Sequence, residues 1–214
     1  MGARCERIVG MAFDAFSRGA SEVGPEVEAL DSQIDRDELD IHALILRILA
    51  RRQPVADDLR FLATALRLIT DLERIGDEAV NIGERAVKDD GGAKLLVGPE
   101  LGAMAIEALD MLHGALESFV QWDDHGADLV LRRDDEVDRR CSAVIAAMIN
   151  YMGQHSDQIL AGLRIIRVAK YLERIADHAT NVAEEVIFMV RGDDVRHGYW
   201  AQSSRRSSVA PGAP

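Results

Sequence analysis

The chain has 214 residues, 48% of them hydrophobic but only 5% aromatic, and its 25 Lys and Arg against 37 Asp and Glu leave a formal net charge of −12. This length accommodates one domain or two small ones, and a composition led by Ala, Leu, Ile, Val, Arg and Glu favours helices over sheets. The acidity excludes a nucleic-acid partner, whose phosphates demand a basic face, and suits cation binding.

Helical periodicity predicts six helices, near 4–18, 25–52, 54–88, 99–122, 126–152 and 157–190. The first is short, ending at Gly19, and Gly24-Pro25 opens the second. Pro54 fits the first turn of the third, where a missing N–H costs nothing. "KDDGGAK" (88–94) reads as a linker closed by Gly98-Pro99, which starts the fourth helix. "QWDDHGAD" (121–128) turns into the fifth and "MGQHSDQ" (152–158) into the sixth, with Ser156 or Asp157 as the N-cap. Beyond Gly192 the polar "SSRRSSVAPGAP" reads as a disordered tail. Short turns make successive helices antiparallel neighbours. The expected fold is therefore all-α, two tandem three-helix bundles: residues 1–90, a linker at 91–98, residues 99–192, and a tail at 193–214.

No apolar run approaches the roughly 20 residues of a spanning helix, and "MGARCERIVGMAFDAF" lacks the uninterrupted apolar core of a signal peptide. Cys5 and Cys141 show neither metal-site spacing nor a disulfide framework, so they are expected as reduced thiols in an intracellular protein.

The two halves are copies. "LERIGDEAVNIGE" (72–84) returns as "LERIADHATNVAE" (172–184), and half of the aligned positions in 71–86 and 171–186 are identical. Arg67 matches Arg167 at the same offset, and "DSQID" (31–35) resembles "DDEVD" (134–138) on the second helix of each half. On the third helix, Phe61, Ala65, Leu68, Leu72, Ile75, Ala79 and Ile82 form one core stripe. A second stripe starts with Leu59, Leu62, Leu66 and Ile69 and continues as Glu73, Asp77, Asn81 and Glu84. The sixth helix repeats this switch, from Ile159, Gly162, Ile166 and Ala169 to Glu173, Asp177, Asn181 and Glu184.

Like charges at i, i+4 destabilise a helix slightly unless something compensates. Arg74 and Arg174 lie to one side of the stripe, and a cation would compensate more fully. Carboxylate and amide oxygens without thiolate suit Mg²⁺, Ca²⁺, Mn²⁺ or iron. Glu73 to Asn81 covers about 12 Å of helix axis, too far for one ion to gather all three. Asp31 and Asp35, like Asp134 and Asp138, are also spaced i, i+4. Each half thus offers two facing acidic ladders and is expected to hold one metal cluster. A single such ladder is most often a solvated face; its recurrence with partner ladders tips the reading toward metal.

The paired phrases "DLERIGDEAVNI" and "YLERIADHATNV", with the acidic "ALDSQID" and "RRDDEVD" before them, closely resemble the motif of the PhoU family of phosphate-transport regulators, over about residues 5–190. The resemblance implies two tandem three-helix bundles in a cytoplasmic, homodimeric protein that reaches the membrane only through partners. It implies negative regulation of phosphate signalling, linking the ATPase of a phosphate-specific ABC transporter to a sensor histidine kinase. It also implies multinuclear metal clusters, iron first and Mg, Mn, Ca or Zn as alternatives, held by Asp31, Asp35, Glu73, Asp77 and Asn81 and by Asp134, Asp138, Glu173, Asp177 and Asn181. The first helix is shorter than the family's, and the Arg-bearing tail has no family counterpart.

No enzyme is expected: there is no phosphate-binding glycine loop and no nucleophile elbow. A ferritin-type di-iron site would need His three residues after Glu73 or Glu173, where Gly76 and Ala176 stand. His178, about 100° round the helix from Asp177, reads as a polar flank. The alternative is a metal-independent adaptor whose acidic ladders bind a basic partner surface.

Overall fold

A computed structural model describes residues 1–86 and 98–195. The first repeat is built from α1 (Gly2–Arg18), a 3₁₀ turn at Ser21–Val23, α2 (Gly24–Arg52) and α3 (Ala56–Gly83). The second is built from α4 (Pro99–Gln121), α5 (Asp124–Leu131), α6 (Asp134–Gln154), a 3₁₀ turn at Ser156–Gln158 and α7 (Ile159–Arg191).

Each helix follows from its apolar spacing. In α1, Cys5, Ile8, Val9, Ala12, Ala15 and Phe16 fall at helical intervals and are all buried. The helix stops at Gly19, which takes the left-handed conformation (φ 68°) that lets the following N–H groups turn back onto its last carbonyls. In α3 the predicted core stripe from Ala65 to Ile82 is buried, and Leu62 and Ile69 of the second stripe are buried with it, whereas Leu59 is exposed. In α7, Ile165, Val168, Leu172, Ile175, Ala179 and Val182 are fully or almost fully buried.

The two repeats do not keep separate cores. α3 and α7 share the most extensive helix–helix interface, and one continuous apolar cluster runs from Cys5 in α1 to Val195 after α7. A smaller cluster of Ile45, Leu62 and Ala65 lies where α2 and α3 extend past the start of α1. An apolar groove of about 720 Å³ opens there between α2, α3 and α4, with Ile41, Ile48, Ile69 and Phe119 among its walls.

Three local expectations need correction. The fifth predicted helix is two, α5 and α6, because the backbone tightens at Arg132–Arg133: Arg133 N–H bonds the Val130 carbonyl three residues back (3.0 Å), and its guanidinium is drawn to Glu107 (2.6 Å) and Asp110 (3.1 Å) on α4. Pro54 precedes the first turn of α3, which starts at Ala56 after Gln53 in a left-handed conformation. Ser156 and Asp157 form a 3₁₀ turn rather than a cap. A true side-chain cap occurs at Asp123, whose carboxylate accepts the His125 N–H (3.1 Å) at the start of α5. Most of the expected linker and tail fall outside the described residues. Among the described residues no helix is long and apolar enough to cross a membrane.

Candidate metal centre

The site is built where the second stripes of α3 and α7 turn from apolar to acidic. Leu72, Ile75 and Ala79 anchor α3 in the core, which turns Glu73 and Asp77 toward the N-terminal half of α2. There Asp31 and Asp35 face them. Ile34, between the two on α2, is fully buried and fixes that register. In the second repeat Leu172, Ile175 and Ala179 play the same part, and Asp134 and Asp138 of α6, held by buried Val137, meet Glu173 and Asp177 of α7. The eight predicted carboxylates thus lie as two pairs of facing ladders, four carboxylates in each repeat close enough to feel one another's charge.

Burial first, and mutual repulsion second, make these carboxylates reluctant to ionise. Partial burial, then the charges of Asp35, Asp77 and Glu73, push Asp31 up to about 6. Partial burial, then Asp138, Asp177, Asp135 and Glu173, do the same to Asp134, again to about 6. Glu73 is raised by burial, Asp77, Asp35 and Glu38, and Asp177 by burial, Glu173 and Asp138. One carboxylate oxygen in each cluster, Asp31 Oδ1 and Asp134 Oδ1, is buried with no hydrogen-bond partner. Such an oxygen calls for a donor or a cation.

Gly76 belongs to the first cluster. A Cβ at this position would stand 2.8 Å from Asp31 Oδ1, so the missing side chain is the cradle that receives that oxygen. The second repeat has Ala176 at the matching position, fully buried.

The donor set fits a hard cation: carboxylate oxygens, orphaned at equivalent positions, with no thiolate. The two cysteines are free and buried. Cys5 donates to the Leu72 carbonyl (3.3 Å), and burial pushes its thiol up to about 12, so it stays neutral. The carboxylates form ladders across two helices rather than a closed cage. Among the described residues no three His, Cys, Asp or Glu side chains already stand at coordinating distance from a common point.

The two amides on the ladders are placed less simply. Asn81 lies one turn past Asp77. Asn181 directs its amide away from its own repeat to Asp71 on α3 (3.1 Å), where His178 Nδ1 also arrives (2.9 Å). His178 is therefore a polar flank at the α3–α7 interface. Arg174 likewise reaches across to Glu78 (3.2 Å), while Arg74 remains beside Glu73. Sequence reasoning missed Lys170, whose ammonium sits on both oxygens of Glu173 (2.9 and 2.6 Å). The signal was a difference between the copies: Thr70 of the first repeat aligns with Lys170 of the second.

The model of the PhoU domain matches residues 1–86 and 101–186, both repeats and both ladders. The chain belongs to the PhoU family. It is 37% identical over 200 residues to the phosphate-specific transport system accessory protein PhoU homolog of a Burkholderia species, a match covering 92% of this chain and 85% of that protein. The crystal structure of PhoU from Pseudomonas aeruginosa superposes with a TM-score of 0.84 at 36% identity, covering 90% of this chain and 93% of that one. The phosphate transport system regulatory protein PhoU from Streptococcus pneumoniae superposes with a TM-score of 0.77 at 25% identity, over 91% of each chain. These solved folds establish the all-helical, duplicated architecture for this PhoU-family chain.

Proposed function

We propose that this protein is an accessory regulator of phosphate uptake, a cytoplasmic negative regulator that couples the ATPase of a phosphate-specific ABC transporter to a sensor histidine kinase. The observation that supports this reading is the match of both repeats to the PhoU domain, with relatives described as accessory or regulatory proteins of phosphate transport. The role is non-catalytic: the arrangement of residues is a scaffold of long helices in two repeats sharing one core. Such a scaffold transmits partner state by shape rather than by chemistry.

The acidic ladders hold metal in this reading. Asp31, Asp35, Glu73, Asp77 and Asn81 form one donor set and Asp134, Asp138, Glu173 and Asp177 the other; Asn181, whose NH₂ is given to Asp71, has only its amide oxygen left to offer there. Bound divalent or multinuclear metal, iron first, supplies the positive charge that the two orphaned Asp oxygens need. The chain's own residues place those oxygens: Ile34 and Val137 set the register, and Gly76 makes room for Asp31. The homodimer is part of the same proposal.

A second reading draws on Lys170. An ammonium already satisfies Glu173 in the second ladder, so basic side chains of a partner are chemically adequate occupants, and the ladders act as docking faces without metal. Chelation separates the two. A metal-dependent scaffold loosens when stripped, while an ionic adaptor responds only to salt. The regulatory role is tested by deleting the gene in its source organism and following an alkaline-phosphatase reporter in high phosphate. Derepression is expected; unchanged repression refutes the role.

A further inference from the structure

The two ladders are copies in sequence, yet the structure gives them different charge environments. In the second ladder Lys170, one turn before Glu173, holds both oxygens of that carboxylate. The matching residue of the first ladder is Thr70, whose hydroxyl is occupied with the Leu66 carbonyl (3.3 Å). Among the described residues no ion pair reaches Asp31, Asp35, Glu73 or Asp77.

A second substitution works in the same direction. Residue 141, which follows Asp138 by one turn, is Cys, a buried side chain that is not an acid like its counterpart. Its counterpart by the same alignment is Glu38, whose carboxylate adds to the negative potential at Glu73. The flanks partly offset this: Arg74 lies beside Glu73 and Asp135 beside Asp134. Neither flank occupies a ladder oxygen, however, whereas Lys170 occupies two. Gly76 adds a steric difference, because only the first ladder has the cradle under its buried Asp oxygen.

We propose that the two ladders are unequal cation sites: the first is the tight one, and Lys170 is a built-in competitor that weakens the second by holding Glu173. This rests on the metal reading above. An ion entering the second ladder must displace an ammonium and forgo that bond, whereas an ion entering the first meets no such ion pair among the described residues.

The test uses the full chain, stripped with chelator and titrated with Mn²⁺, with free ion followed by its paramagnetic resonance signal and bound ion by elemental analysis. Two classes of site are expected. Asp77→Asn removes the tight class and Asp177→Asn the weak one, which assigns them. Lys170→Thr tightens the weak class roughly tenfold, and Thr70→Lys weakens the tight class roughly tenfold, the scale of one unit charge beside an ion in a water-accessible site. Both positions are on the surface, and circular dichroism checks that the variants fold. Equal affinities in the native chain, or Mn²⁺ binding that Lys170→Thr and Thr70→Lys leave unmoved, overturns the inequality while leaving the metal reading standing. No bound Mn²⁺ in any variant overturns both.

Discussion

Replacing Asp31 and Asp134 by Asn should stabilise the metal-stripped protein, and the gain should grow with pH. In the unfolded chain an aspartate releases its proton near 3.8, while in the fold both hold it to about 6. Between those values the unfolded state binds fewer protons than the native state, so stability falls as pH rises. The loss is complete above about pH 6 and absent below about 3.8. At about 1.4 kcal/mol per pKa unit the full effect would be about 3 kcal/mol per residue, but these side chains are only partly buried, and solvent screening reduces it to about 1 kcal/mol each. The double variant should therefore gain about 2 kcal/mol at pH 7.5 and about a third of that at pH 4.5. Urea denaturation at the two pH values, in chelator, reads the difference and cancels any pH-independent effect of the amides. Added Mn²⁺ should invert the result at pH 7.5, because an ion at 100 times its Kd stabilises the native chain by about 2.7 kcal/mol and the variant binds it poorly. A gain that does not change with pH, or a loss at pH 7.5 in chelator, would refute the reasoning.

Gly76→Ala should raise the melting temperature of the stripped protein by a few degrees, since Ala is favoured over Gly in a helix by about 1 kcal/mol, while weakening Mn²⁺ at the first ladder by displacing Asp31 Oδ1. Unchanged Mn²⁺ affinity would remove Gly76 from the site. Arg67→Met should cost about 2 kcal/mol in urea at neutral pH, because it takes the guanidinium (2.7 Å) from Glu185, only 4% exposed, and removing one charged partner from a buried carboxylate is expensive. A cost below about 0.5 kcal/mol would mean that other groups hold that charge. Phe61→Ala should cost about 2 kcal/mol in the same assay through loss of its stacking on Phe119 and Trp122, with ring centroids at 5.7 and 5.6 Å.

The helices were legible because their apolar spacing is regular and their ends carry Gly or Pro. Gly19 stops α1 where expected, and Pro25 and Pro99 sit in the first turns of α2 and α4. The break between α5 and α6 was not legible, since Arg132 and Arg133 are good helix formers and the tightening comes from Glu107 and Asp110, residues distant in sequence. The carboxylate clusters were legible from the i, i+4 spacing and its duplication, which fix a helix face without a structure. The destination of Asn181 was not: it lies on the predicted sector, yet the nearest acceptor belongs to the other repeat. Angular position on one helix specifies a direction but not which neighbour stands there. Lys170 was missed for a simpler reason: the upstream alignment was followed for matching residues, such as Arg67 and Arg167, and not for positions where the copies differ.

The asymmetry between the ladders has a counterpart in the interface that joins them. α3 and α7 cross antiparallel, from Arg67–Glu185 through Asp71–Asn181 and Glu78–Arg174 to Arg85–Tyr171. In such a crossing of two copies, each contact has a mirror contact with the repeats exchanged. The mirror of Glu78–Arg174 would be an acidic residue at 178 paired with Arg74. That residue is His178, which bonds Asp71 instead and leaves Arg74 beside Glu73. The divergence at 178 therefore alters the charge at the first ladder, while the divergence at 170 alters the charge at the second. Both changes lie on the sector next to the carboxylates, and neither touches the buried stripe. The buried stripe keeps its apolar character in both copies, with Leu72, Ile75 and Ala79 repeated as Leu172, Ile175 and Ala179, but its residues are otherwise exchanged: Ala65 aligns with Ile165, Ile69 with Ala169 and Ile82 with Val182. Exchanges in the core stay apolar and leave the charge unchanged, whereas those beside the ladders, Thr70 for Lys170 and Glu78 for His178, make the two halves electrostatically distinct.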